Sequence, residues 1–95
     1  MKQMYQPKPE DTSEVILSEE ILNMTEMIAR NTHENWAKNK MDDGWTYGEE
    51  LDEEKRTHPC LTEYDNLSEE DKDYDRVTAM ETIKLLLKMG YKIIK

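Results

Sequence analysis

His33, His58 and Cys60 are the strongest soft ligands in this 95-residue sequence, and the nearest thing it has to a nucleophile–base set. A structural zinc site wants four ligands, usually in close pairs, and one His-x-Cys pair with a distant histidine falls short. Nothing marks an oxyanion hole or an orienting group beside Cys60 and His58, so the pair does not read as catalytic. Cys60 reads as a small packing residue next to Pro59. Asp71-Lys72-Asp73-Tyr74-Asp75 looks like the opening of a calcium loop, which needs glycine at its sixth position and a bidentate glutamate at its twelfth. Arg76 and Thr82 stand there instead. The acidic run Glu49, Glu50, Asp52, Glu53 and Glu54 reads as solvated surface, too polar to build the pocket that acid–base catalysis requires. With no phosphate-cradling loop either, the sequence points away from an enzyme.

The aromatic residues carry more. Trp36 ends the apolar face of a long helical pattern, and Trp45 and Tyr47 follow in a glycine-flanked turn, Gly44-Trp45-Thr46-Tyr47-Gly48. Tryptophans near a loop serve as core plugs or as stacking platforms for a flat ligand. Arg76 shares a helix face with Met80, Ile83 and Leu87. A guanidinium there must snorkel or find an acid, and Asp73 is one turn away. It is either an anion contact at a pocket rim or half of a structural ion pair.

These residues need elements to position them. Residues 1–17 contain Pro7 and Pro9 and read as an extended arm lying against a helical body. Val15-Ile16-Leu17 requires apolar cover. A first helix is expected over 18–41, capped by Ser18, with Glu19 and Glu20 in its first turn. Ile21, Thr25, Ile28, Ala29, Thr32 and Trp36 fall on one face, Asn23, Arg30, Glu34 and Lys38 on the other. Residues 42–67 form a connection too long to be structureless, so an ordered loop with a short helix is expected, Glu49–Arg56 being the stretch that could form it. Its anchors are Trp45, Tyr47, Leu61, Tyr64 and Leu67. A second helix is expected over 68–90, capped by Ser68 with Asp71 three residues on, its face formed by Val77, Ala79, Met80, Ile83 and Leu87, and stopped by Gly90. Residues 91–95 are a tail, with Tyr91, Ile93 and Ile94 returning toward the core. The fold class is all-α, one domain built on two long packed helices.

Composition bounds the partners. Thirteen basic and twenty-two acidic side chains give a net charge of −9. Residues 41–75 hold fourteen acids against three bases, a net −11, while 76–95 are basic. That balance argues against nucleic acid and anionic membrane. No apolar run approaches the roughly 20 residues of a membrane span, and residues 1–5 lack the apolar core of a signal peptide. A single cysteine suits a reducing, cytoplasmic compartment.

Several ordered motifs then resemble the RyR domain, the repeat of ryanodine receptors that also occurs in small bacterial and phage proteins. The arm Tyr5-Gln6-Pro7-Lys8-Pro9 through Val15 matches the family's opening. Ile28 to Ala37, with Thr32-His33-Glu34-Asn35-Trp36 at its centre, matches its first helix. Gly44 to Gly48 matches its loop, and His58-Pro59-Cys60-Leu61, Tyr64 and Leu67 the next stretch. Glu81 through Tyr91 matches the last helix.

The resemblance implies a compact helical domain, a free-standing single copy of bacterial type. It implies a non-enzymatic ligand-binding module that senses an adenine nucleotide, with Trp36 stacking on the base. Trp45 and Tyr47 would lie beside it, and Arg30, Lys40 or Arg76 would supply a basic contact. No cofactor or metal is implied. Leu51 stands where the family usually has arginine, which removes one phosphate partner. Paired copies in tandem members make a homodimer an expectation here. The alternative is a protein-interaction or self-association module without a small ligand, its acidic stretch steering a basic partner.

Overall fold

The computed structural model describes residues 4–95. Two long helices, α1 (Glu19–Asp42) and α2 (Glu69–Lys88), pack along each other and account for most of the regular secondary structure. Each begins where a serine frees itself to cap. Ser18 Oγ accepts from the Ile21 N–H at 3.3 Å and Ser68 Oγ from the Asp71 N–H at 3.1 Å. Each ends in the same six-residue closure. The Gly44 N–H donates to Met41 O and the Trp45 N–H to Lys40 O; the Gly90 N–H donates to Leu87 O and the Tyr91 N–H to Leu86 O. Both glycines hold positive φ, 90° and 95°, where a side chain would be strained. Asp71 does not complete a reciprocal cap, because its carboxylate turns to accept from Cys60 Sγ at 3.7 Å.

The core is small. Leu17, Ala29, Leu61, Tyr64, Ala79 and Ile83 are buried, with Thr12, Thr25 and His33. Ala29 and Ala79, 0% and 2% exposed, are the most buried residues of their helices, and such small side chains let two axes approach closely. The expected helix faces hold for Thr25, Ala29, Ala79 and Ile83. Val77 departs from its expected face and is 59% exposed.

The arm packs on α2 as expected. Thr12 Oγ1 donates to Glu81 Oε2 at 2.6 Å, and Lys88 Nζ to Glu10 Oε2 at 3.3 Å. Only one of the three apolar residues at its end is fully covered. Leu17 is buried while Ile16 is 89% exposed, because extended backbone points successive side chains opposite ways.

The connection is ordered, but its short helix lies elsewhere than expected. Glu49–Arg56 is not helical. Asp52 Oδ1 accepts from the N–H groups of Glu54 and Lys55, and Asp52 and Thr57 exchange both backbone hydrogen bonds, 3.1 and 3.0 Å. An aspartate that satisfies nearby N–H groups competes with a helix, and this stretch had no apolar face to oppose it. Arg56 closes the turn at φ 55° and donates to Asp43 O at 2.6 Å. Two minimal strands follow, β1 (Thr46–Tyr47) and β2 (Thr57–His58), parallel, with Tyr47 opposite His58. The helical turn is a 3-10 segment at Tyr64–Asn66, built around the most buried large side chain of the core.

Candidate functional site

Trp36 stands at the centre of an aromatic cluster that four separate segments assemble. His33 lies one turn earlier on α1, its ring centroid 5.7 Å from that of Trp36. β2 brings His58 edge-on to Trp36 at 4.9 Å, and Trp45 packs against the far side of His58 at 6.4 Å. Tyr64 closes the inner end, 6.0 Å from His33. The β1–β2 pairing sets the position of His58, and Gly48 permits it. A Cβ on Gly48 would stand 2.5 Å from Thr57 Cβ, closer than van der Waals contact allows.

Hydrogen bonds fix the ring chemistry. His33 Nε2 lies 2.7 Å from Thr62 O, so that nitrogen carries the proton. His58 Nδ1 accepts from the Cys60 N–H at 3.0 Å and is therefore unprotonated. Burial, helped by the nearby Lys40 charge, lowers the His58 pKa below the ordinary value. Burial pushes the Cys60 thiol up, and the Asp71 carboxylate adds to that shift. Near neutral pH the pair is a neutral imidazole and a neutral thiol.

A cleft of about 190 Å³ opens beside Trp36, between α1, the connection and the first half of α2. Its walls are His33, Trp36 and His58 on one side and Asp71, Tyr74 and Asp75 on the other, with Cys60 and Leu67 at the base of the connection. Asp75 has no hydrogen bond or ion pair among the described residues, and burial raises its pKa. Among the described residues no lysine or arginine lines the cleft. Among the described residues, no three histidine, cysteine or acidic groups converge as a metal would require.

The six expected ligand-contact residues do not form one site. Only Trp36 lines this cleft. Trp45 backs it through His58, and Lys40 Nζ sits over the Trp45 ring at 4.6 Å. Tyr47 does not line the cleft and is 57% exposed. Arg30 donates to Asp65 Oδ1 at 2.7 Å and lies over the Tyr64 ring. Arg76 is held most tightly. Its Nε and Nη2 reach Glu26 at 2.7 and 3.1 Å, and its Nη1 reaches Glu69 at 2.7 Å and Asp73 at 2.9 Å. These carboxylates raise its pKa well above the ordinary value, Glu26 most. Of its alternatives Arg76 takes the ion pair, and the partner at Glu26, fifty residues away, had no sequence signal. Asp71, Tyr74 and Asp75 were missed as cleft residues for a related reason: on α2 alone they read as a capped helix start.

The architecture defines a class first: a two-helix domain whose long connection folds back to build an aromatic cleft against both helices. The family follows from it. The RyR domain family model matches residues 5–95, and the chain belongs to that family. Among the described residues no helix is long and apolar enough to cross a membrane.

Proposed function

We propose that this RyR-family chain is a non-enzymatic small-ligand-binding module of a reducing, cytoplasmic compartment, with the Trp36 cleft as its site. The observation that carries this reading is the half-buried Trp36 ring, braced by His33 and His58 and open to the cleft on its remaining side. A ring held so firmly is already ordered before a ligand arrives, which lowers the entropic cost of stacking. The non-enzymatic part draws support from Cys60 and His58, whose shifts oppose formation of a thiolate–imidazolium pair.

The cleft is below the roughly 300–1,000 Å³ of a site that encloses a whole small molecule. It takes a single ring or head group. For an adenine nucleotide, the ligand the family resemblance implies, the base alone enters. Its phosphates then have to pass Asp71 and Asp75 and run outward toward Lys40, the one basic candidate outside an ion pair among the described residues. The test is a thermal-shift screen of nucleosides, nucleotides, ADP-ribose and small amines, repeated on Trp36→Ala with its fold checked by circular dichroism. A ligand at about one hundred times its Kd stabilises by about 2.7 kcal/mol, a shift of about 10–20 °C in a domain this small. A shift that Trp36→Ala abolishes supports the site. Stabilisation that survives the substitution places the ligand elsewhere and refutes it.

A further inference from the structure

The charge and shape of the cleft define what it takes. This inference rests on the Trp36 cleft being the ligand site, and it deepens that reading. Two carboxylates, Asp71 and Asp75, with the Tyr74 phenol on their own side, face the Trp36 indole across about 190 Å³, and among the described residues no lysine or arginine lines the walls. His58 does not neutralise the acids, since it is neutral with Nδ1 occupied by the Cys60 N–H. His33, tied through Nε2 to Thr62 O, offsets only part of the burial that raises the Asp75 carboxyl. Asp71 receives only the weak Cys60 thiol, and Asp75 receives no partner among the described residues.

The contrast with the rest of the acidic stretch is informative. Glu26, Glu69 and Asp73 converge on Arg76, and Asp65 binds Arg30. The domain supplies guanidinium groups to those acids and withholds one from Asp71 and Asp75. Among the described residues no three donors converge to hold a metal ion in the gap. An organic cation fits it. It combines charge-assisted hydrogen bonds to carboxylates with attraction to an aromatic face, and it suits a cleft sized for one head group.

We infer that the Trp36 cleft binds an organic cation, an ammonium or guanidinium head group, between the indole of Trp36 and the carboxylates of Asp71 and Asp75. The head group could belong to a free polyamine-like molecule or to a lysine or arginine side chain. The recognition chemistry is the same for both.

The experiment titrates the isotope-labelled full chain and follows the Trp36 indole N–H resonance, assigned with Trp45→Phe. The probes are agmatine, cadaverine and a capped Gly-Arg-Gly peptide, with the neutral citrulline analogue of that peptide and ATP as controls. Saturable movement of the Trp36 signal is expected for the cations, and none for citrulline or ATP. Asp75→Asn and Asp71→Asn should each weaken cation binding about tenfold or more, and added salt should weaken it further. Agmatine binding more tightly than the peptide identifies a free amine as the source; tighter peptide binding identifies a side chain. Cation binding that Asp75→Asn leaves unchanged overturns the inference. If ATP moves Trp36 and the cations do not, the inference fails while the ligand site stands. If no probe moves Trp36, both fall.

Discussion

Removing the Tyr64 hydroxyl isolates one contact between the core and the charge network. Tyr64 is 1% exposed, and its O–H donates to Glu26 Oε1 at 3.0 Å. A hydrogen bond to a charged group contributes about 1.5–3 kcal/mol. Glu26 is 47% exposed at its side chain and keeps Arg76 when the hydroxyl is gone, so no buried charge is orphaned. Solvent competition reduces the expected cost of Tyr64→Phe to about 1 kcal/mol. In a domain this small that corresponds to a Tm loss of about 4–8 °C. The pH dependence adds a second check. Arg76, and after it Tyr64, hold the Glu26 carboxyl below its ordinary value near 4.5. A carboxylate with a depressed folded-state pKa stabilises the fold above its unfolded pKa, and that stability is lost as pH falls through the folded value. Tyr64→Phe raises the folded value back toward the ordinary one. Its deficit should therefore be full near neutral pH and shrink to less than half in acid, where Glu26 is protonated in both states. Urea titrations of wild type, Tyr64→Phe, Glu26→Gln and the double variant, followed by far-UV circular dichroism, measure both effects. No deficit at neutral pH means that the hydroxyl does not reach Glu26. A deficit that stays constant into acid, or that adds fully to Glu26→Gln, means that its partner is not the ionised carboxylate.

Three further outcomes follow from other parts of the fold. Ile83→Ala, at a site 6% exposed between the helices, should cost about 2–5 kcal/mol in the same titration; a loss under about 1 kcal/mol would show that Ile83 is not core. Gly48→Ala should disturb the aromatic cluster before it unfolds the helices, since its methyl would press on Thr57 and loosen β2. Tryptophan fluorescence should change while far-UV dichroism is retained, and unchanged emission would contradict the close approach. Asp75→Asn should leave stability at neutral pH equal or raised, because burial raises the Asp75 pKa and its charge is therefore a cost that the amide removes. Wild type should correspondingly gain on the variant as pH falls through the raised folded-state value, and a marked loss in Asp75→Asn at neutral pH would reveal an ion pair that the structure lacks.

The helices were legible because their signals are local. A serine, acids in the first turn, a period of 3.6 and a closing glycine all act within a few residues, and both helices begin within one residue of the expected start and end within two residues of the expected end. The connection was legible only as ordered. Glu49–Arg56 had helix-compatible residues, but the Asp52 side chain captured two N–H groups and Arg56 took a positive φ. Neither event leaves a period to count. His33 shows the same limit from the other side. Its spacing from Thr25 and Ala29 put it on the buried face, yet its residue type drew attention to metal chemistry instead of to the Thr62 carbonyl it bonds.

Charge was the least legible property, because a net value over a segment does not say which acids are already paired. The net −11 of residues 41–75 argued against nucleic acid and anionic membrane as a uniform field. In the fold that field is divided. Arg76 reaches out of its own segment to Glu26 and gathers Glu69 and Asp73 with it, and Arg30 gathers Asp65. These pairings are surface-exposed and add little to stability singly. They do fix where the remaining negative charge goes. Four acids occupy two of the three basic residues first expected to hold an anion, Glu26, Glu69 and Asp73 on Arg76 and Asp65 on Arg30, and among the described residues the carboxylates left without an ion pair beside Trp36 are Asp71 and Asp75. The arginines thus shape the site without touching it: by satisfying the acids around them, they leave the cleft to be read by its own two charges.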